Sequence, residues 1–310
     1  MDHSIGNYED VMTLNARFAN IKTSDGYALG LEVDRGLLDV TATGAALGMS
    51  APRDLDDLLQ RGLGDQVRHI RAAAAEKPEA AVVIPVQQVT FAPLVTRPEK
   101  IICVGFNYKK HAEETGTEIP KAPPLFAKFN NALNHHQGLI SLPTEVDSHF
   151  DFETELVIVF GRTCHKVKEE EALDYVAGYA IGNDVSARKL QQQTSQITAG
   201  KISDGFAPVG PWLVTRDRIP DPNNLRLQTF FNGEQRQDWT TSDMIFNCRK
   251  LISFVASIMT IKPGDLLYTG TPQGVILGEK KPGMLRRWVQ PGDEVISVIE
   301  GLGELRVNYR

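Results

Sequence analysis

Between Arg17 and Val40 apolar and polar residues take turns, and "SDGY" (24–27) and "DRG" (34–36) interrupt the alternation with turn residues. A period of two marks half-buried strands, so a small antiparallel meander is expected here. The period then changes. In "RDLDDLLQRGLGDQVRHIRAAAA" (53–75), Leu55, Leu58, Leu59, Leu63, Val67 and Ile70 recur at helical spacing. Gly62 and Gly64 are expected to divide this stretch into two helices. "EKPEA" breaks the pattern, and proline recurs at 78, 85, 93 and 98. We place a domain boundary there: a small N-terminal α+β domain over residues 1–95 and a larger domain over 96–310.

From "EKIICVGFNY" (99–108) onward, short apolar strands such as "IICVGF", "ELVIVFG" and "LRLQTFFNG" alternate with turns such as "KPGD" (262–265) and "QPGD" (290–293). Helical pattern is confined to Lys109–Glu114, Glu169–Val176 and Ser242–Met259. This mixture predicts a strand-rich α+β domain with long loops, not a doubly wound parallel sheet.

Composition narrows the function classes. The 310 residues are 42% hydrophobic, enough for a large core. With 33 Lys plus Arg against 39 Asp plus Glu, the net charge is −6, which gives no electrostatic footprint for nucleic acid or anionic lipid. Apolar runs such as "AAVVIPV" (80–86) are far too short to cross a bilayer. The start, "MDHSIGNYEDVM", lacks an apolar signal core. Cys103, Cys164 and Cys248 show no CxxC spacing and are expected to be buried free thiols, in keeping with a cytoplasmic location.

The chemistry concentrates in "DFETELVIVFG" (151–161), an apolar strand whose first half carries carboxylates at every second position. Glu153 and Glu155, two apart on a strand, leave the same face. Either both are solvated at a strand end, or a cation lies between them. Hard cations such as Mg²⁺ or Mn²⁺ would suit such oxygen ligands. A third carboxylate, Asp184, ends the apolar strand in "AGYAIGNDVSAR" (177–188); it is a further ligand candidate, or else a turn or cap residue. In "HAEETG" (111–116), His111 and Glu114 are neighbours on one helical turn. They form a candidate general base with its orienting carboxylate, or a solvated acidic helix face. Lys128, set among apolar residues, and Lys201, in a Gly- and Pro-rich loop, can stabilise an oxyanion or receive a substrate carboxylate, or simply reach to solvent. Arg188 and Gln191 would share a helix face after Asp184.

Taken in order, "GFNYKKHAEETG", "DFETEL", "GNDVSAR", "GKISDGFAPVGP" and "TGTPQGV" (269–275) resemble the fumarylacetoacetate hydrolase family over roughly residues 99–310. The resemblance implies a mixed β-roll, a homodimer and Mg²⁺ or Mn²⁺. It places Glu153, Glu155 and Asp184 on metal-ligand positions and His111 with Glu114 on the water-activating pair. Lys201 falls near metal and substrate, and Lys128, Arg188, Gln191 and Thr271 fall at or near pocket-lining positions. Residues 1–95 resemble the small accessory domain of bacterial members only loosely. Position 106 is Phe, where acylpyruvate-cleaving relatives can carry an arginine. The expected activity is metal-dependent hydrolysis of a C–C bond in a 1,3-diketone-type acid, such as an acylpyruvate or other diketo acid. The alternative is a metal-dependent decarboxylase of oxaloacetate type or a keto–enol isomerase.

Overall fold

The computed structural model describes residues 13–279 and 285–310. The expected meander is present as β1 (Arg17–Thr23), β2 (Gly26–Val33) and β3 (Gly36–Asp39). Gly26 and Gly36 turn the chain at φ +134° and +148°, where a side chain would be strained. A helix that periodicity did not foretell, α1 (Val40–Ala46), follows at once. Asp39 starts it by accepting from the Ala42 amide at 2.8 Å. The expected helix pair is α2 (Leu55–Arg61) and α3 (Gly64–Glu76), with Gly62 ending α2 in the left-handed conformation. The short β4 (Val83–Ile84) pairs with β3.

The chain continues through β5 (Ile101–Val104), α4 (Lys109–Thr115), β6 (Leu125–Lys128), β7 (Leu133–Asn134), β8 (Gly138–Ile140) and β9 (Phe150–Asp151). Next come β10 (Thr154–Phe160), β11 (Val176–Asn183), β12 (Ser186–Ala187), α5 (Arg188–Gln192) and β13 (Ala207–Thr215). The last are β14 (Arg226–Phe231), β15 (Glu234–Thr240), α6 (Cys248–Ile258), β16 (Leu266–Tyr268), β17 (Glu294–Ile299) and β18 (Gly303–Tyr309). Helix α6 begins later than the pattern from Ser242 suggests. Asn247 caps it by accepting from the Lys250 amide, and Thr241–Asp243 form a separate 3₁₀ turn. Residues Glu169–Tyr175 are a 3₁₀ helix.

An eleven-stranded sheet runs in the order β4-β3-β2-β1-β13-β11-β10-β16-β5-β6, with β7 attached to β13. A second sheet, β15-β14-β17-β18-β8, and the small β12-β9 pair complete the strand-rich α+β architecture. The N-terminal strands extend the main sheet: β1 pairs with β13 through Arg17 opposite Val214 and Phe18 opposite Leu213. The central strand β10 is buried on both faces, which is why it reads as an unbroken apolar run. Leu156, Ile158 and Phe160 join the core containing Leu251, Ile252 and Val255 of α6. Val157 and Val159 join the core containing Leu55, Leu58, Val67 and Ile70 of the N-terminal helices. Each such buried side chain contributes about 1.5–3 kcal/mol. The linker between the two parts is fastened as well: Asn20 donates to the Pro93 and Leu94 carbonyls, and Asp56 accepts from Thr96 and the Arg97 amide.

Candidate active site

Pairing of β10 with β11 puts Thr154 opposite Asn183 and Glu155 opposite Gly182. The Asp184 amide donates to the Glu153 carbonyl at 2.8 Å, which ties the strand ends together. Ligand oxygens of Glu153, Glu155 and Asp184 thereby lie within 4.8 Å of one another, all three residues buried. Like charges this close need compensation. Lys201 supplies part of it: its ammonium donates to Glu153 Oε2 at 2.8 Å, Asp184 Oδ2 at 2.7 Å and Ser186 Oγ at 2.8 Å. Arg188 reaches Glu153 Oε1 at 2.7 Å. Burial disfavours the Glu153 carboxylate, but Lys201 and then Arg188 outweigh it and hold its pKa well below the usual range. For Lys201 burial works against the charge, and Asp184 and Glu153 overcome it and raise its pKa.

Glu155 is different. Among the described residues its one hydrogen-bond donor is the Gly270 amide at 2.6 Å, and it has no ion-pair partner there. Burial, then Asp184 and Glu153, push its carboxyl well above the usual range. Asp184 Oδ1 likewise accepts no directed hydrogen bond, although Lys128 Nζ sits 2.6 Å away. An all-carboxylate donor set with an unpaired buried member fits a hard divalent cation.

The second part of the site is the end of β5 and the helix after it. The structure brings His111 to the cavity that Glu153, Glu155 and Lys201 also line. Its Nδ1 lies 3.4 Å from Glu114 Oε2, a long contact of the kind that tightens on substrate binding. The tautomer with its proton on Nδ1 leaves Nε2 as the acceptor. Phe106 holds a positive φ of +48°, rare for a bulky residue, and its ring lies flat toward His111 with centroids 6.1 Å apart. The Gly274 amide donates to both Glu114 oxygens at 3.2 and 3.3 Å. Gly278 permits this approach, since a Cβ there would overlap the Glu114 carboxylate.

The remaining candidates divide. Arg188 and Gln191 are joined on α5 by a 2.8 Å hydrogen bond and both line the cavity, as does Thr271. The Thr271 hydroxyl is engaged, donating to the Thr154 carbonyl and accepting from Gln237. Lys128, expected at or near a pocket-lining position, is buried, and the described lining of this cavity does not include it. Its ammonium donates to the carbonyls of Val185, Lys201 and Phe206 at 3.2, 2.6 and 2.8 Å and lies 2.6 Å from Asp184 Oδ1. It therefore holds Asp184 and the loops around it. Lys128→Met is expected to destabilise the protein by about 3–5 kcal/mol, the scale for stripping one partner from a buried charge pair. Urea unfolding measures this; a midpoint unchanged from wild type would refute the assignment. Asp151 and Ser186 were not among the sequence candidates. Asp151 is fully buried and pairs with Arg188. Its signal was the same alternation that marked the two glutamates.

All three cysteines are buried free thiols. Burial pushes Cys164 and Cys248 up to about 12, so neither offers a thiolate at neutral pH. No helix among the described residues is long and apolar enough to cross a membrane.

Known proteins resemble this chain in sequence and in fold. The chain is 40% identical to the mitochondrial oxaloacetate tautomerase Fahd2a of Rattus norvegicus over 278 residues, 89% of this chain and 85% of that one. It superimposes on fumarylacetoacetate hydrolase from the psychrophile Exiguobacterium antarcticum with a TM-score of 0.81 at 30% identity, over 95% of this chain and 99% of that one. Maleylpyruvate hydrolase from Sphingobium sp. SYK-6, solved with manganese(II) and pyruvate, gives a TM-score of 0.73 at 30% identity, over 94% and 98%. The family model for the C-terminal domain of fumarylacetoacetate hydrolase matches residues 100–309, the part that carries the triad and the His–Glu pair. By sequence and by fold, the chain belongs to the fumarylacetoacetate hydrolase family.

Proposed function

We propose that the chain is a divalent-cation-dependent enzyme that interconverts the keto and enol forms of a short 2-oxo acid of the oxaloacetate type. The observation that carries this is the placing of one proton-handling pair, His111 with Glu114, beside the buried carboxylate triad. The extent of the similarity to a tautomerase supports it.

Mg²⁺ or Mn²⁺ held by Glu153, Glu155 and Asp184 would supply Lewis acidity toward a chelating 2-oxo acid head. The charges of the chain suit such a head. Four carboxylates, Asp151, Glu153, Glu155 and Asp184, face three cations, Lys128, Arg188 and Lys201. A dication turns that deficit into one surplus positive charge, which a 2-oxocarboxylate neutralises. His111 Nε2 takes a proton from the carbon next to the carbonyl and returns it there or to the enol oxygen. Glu114 keeps the ring oriented and its tautomer fixed. The fixed charge of Lys201 favours negative charge growing on the substrate oxygen. Lys201 has its three donors on Glu153, Asp184 and Ser186, and Arg188, an always-charged guanidinium, has four of its five on Asp151, Glu153 and Gln191, so His111 is the group suited to carry a proton. Tautomerisation needs one such carrier. Hydrolysis needs an activated water and also a proton for the departing carbon.

The likeness to maleylpyruvate hydrolase supports a second reading, C–C hydrolysis of a diketo acid in which Nε2 takes its proton from water. A product-resolved assay separates the two. With Mg²⁺ or Mn²⁺ present, enolic oxaloacetate is expected to lose its ultraviolet absorbance faster with enzyme, while total oxaloacetate is conserved. Release of two carbon fragments from a diketo acid, with no acceleration of enol decay, would overturn the tautomerase reading. Stoichiometric CO₂ and pyruvate would replace it with decarboxylation.

A further inference from the structure

The two halves of the site, triad and His–Glu pair, come from separate parts of the chain, and the buried carboxylate of Asp151 bridges them. Asp151 Oδ2 accepts from Arg188 Nε at 2.9 Å and Nη2 at 2.7 Å, and from the Leu277 amide at 2.9 Å. Its Oδ1 accepts from the amides of Ile276 and Phe152, both at 2.9 Å. Through Arg188 it touches the triad, because the same Nη2 donates to Glu153. Through Ile276 and Leu277 it holds the turn whose Gly274 amide donates to Glu114 and whose Gly278 makes room for it.

We propose that Asp151 is a positioning residue that couples occupancy of the cation site to the placement of Glu114 and hence of His111. Arg188 is shared between Glu153 and Asp151. When Glu153 commits charge to a cation, the guanidinium is left to Asp151, which grips the 274–278 turn more firmly. That turn is where Glu114 lands. Coupling of this kind is reciprocal: whatever prevents Glu114 from landing must weaken the cation as well. The proposal rests on Glu153, Glu155 and Asp184 being the cation site.

The test uses full-length protein stripped with a chelator and titrated with Mn²⁺ alone. Calorimetry reads affinity, and hydrogen exchange reads protection of residues 109–115 and 274–279. In wild type, Mn²⁺ is expected to raise protection in both segments. Asp151→Asn turns an amide N–H₂ toward donors; it should weaken Mn²⁺ by roughly 10–100-fold, the usual cost of losing a group behind a ligand. It should also abolish the gain in protection at 109–115. Gly278→Ala lies far from the ligands in its bonding, yet reciprocity requires it to lower Mn²⁺ affinity too. That second variant keeps the test decisive if Asp151→Asn does not fold. Wild-type Mn²⁺ affinity in Gly278→Ala, or an undiminished exchange response in Asp151→Asn, would overturn the coupling. Failure of wild type to bind Mn²⁺ would instead overturn the cation site itself.

Discussion

Glu155→Gln is expected to lose activity by at least roughly 10²–10³-fold, the scale of removing one preorganised electrostatic contact. The same change should make the cation-free protein harder to unfold. Glu155 is buried beside two other carboxylates, and Lys201 is hydrogen-bonded to the other two. Burial, Asp184 and Glu153 all disfavour its charge. A glutamine oxygen can still accept from the Gly270 amide, while the repulsion disappears. The gain in stability should be about 1–3 kcal/mol, the cost of an uncompensated buried polar group. A residue kept at such a cost points to a ligand that compensates it. The experiment compares urea midpoints in chelator and Mn²⁺ binding by calorimetry. A variant that is less stable than wild type in chelator and binds Mn²⁺ normally would refute the role given to Glu155.

His111→Ala is expected to lower turnover by roughly 10²–10⁴-fold, the usual size of a general-base effect. Mn²⁺ affinity should change far less, because hard cations select oxygen over imidazole nitrogen and His111 is outside the triad. Glu114→Gln should follow in the same direction with a smaller loss. It keeps a hydrogen-bonding partner for Nδ1 but removes the carboxylate's charge. Enol decay and Mn²⁺ calorimetry on the same preparations separate the proton role from the ligand role. If His111→Ala still accelerates enol decay as wild type does, the proton carrier is another group. Decarboxylation of oxaloacetate needs no such carrier, so any slow side decarboxylation should survive the change.

Some of this is legible in the chain before it folds. A strand period of two obliges Glu153 and Glu155 to leave one face together, and a helical turn obliges His111 and Glu114 to meet. Both pairings are local, so sequence spacing alone determines them. The helix pair over 55–76 and its break at Gly62 follow for the same reason. Asp151 shows where local reasoning ends. In sequence it continues the alternation of Glu153 and Glu155. In the fold the strand is interrupted between β9 and β10, and Asp151 turns to Arg188 and the 276–277 amides. Lys128 shows it too. An isolated lysine among apolar residues announces a special site, but its partners are carbonyls of Val185, Lys201 and Phe206. Backbone acceptors carry no residue-type signal. Nor do the β1–β13 hydrogen bonds that extend the main sheet into the N-terminal strands. Sequence by itself determined that Glu153 stands with Glu155 and His111 with Glu114; strand pairing in the fold added Asp184. Tertiary structure alone decided which cation serves which carboxylate, because those contacts join distant segments through the backbone and through buried charge.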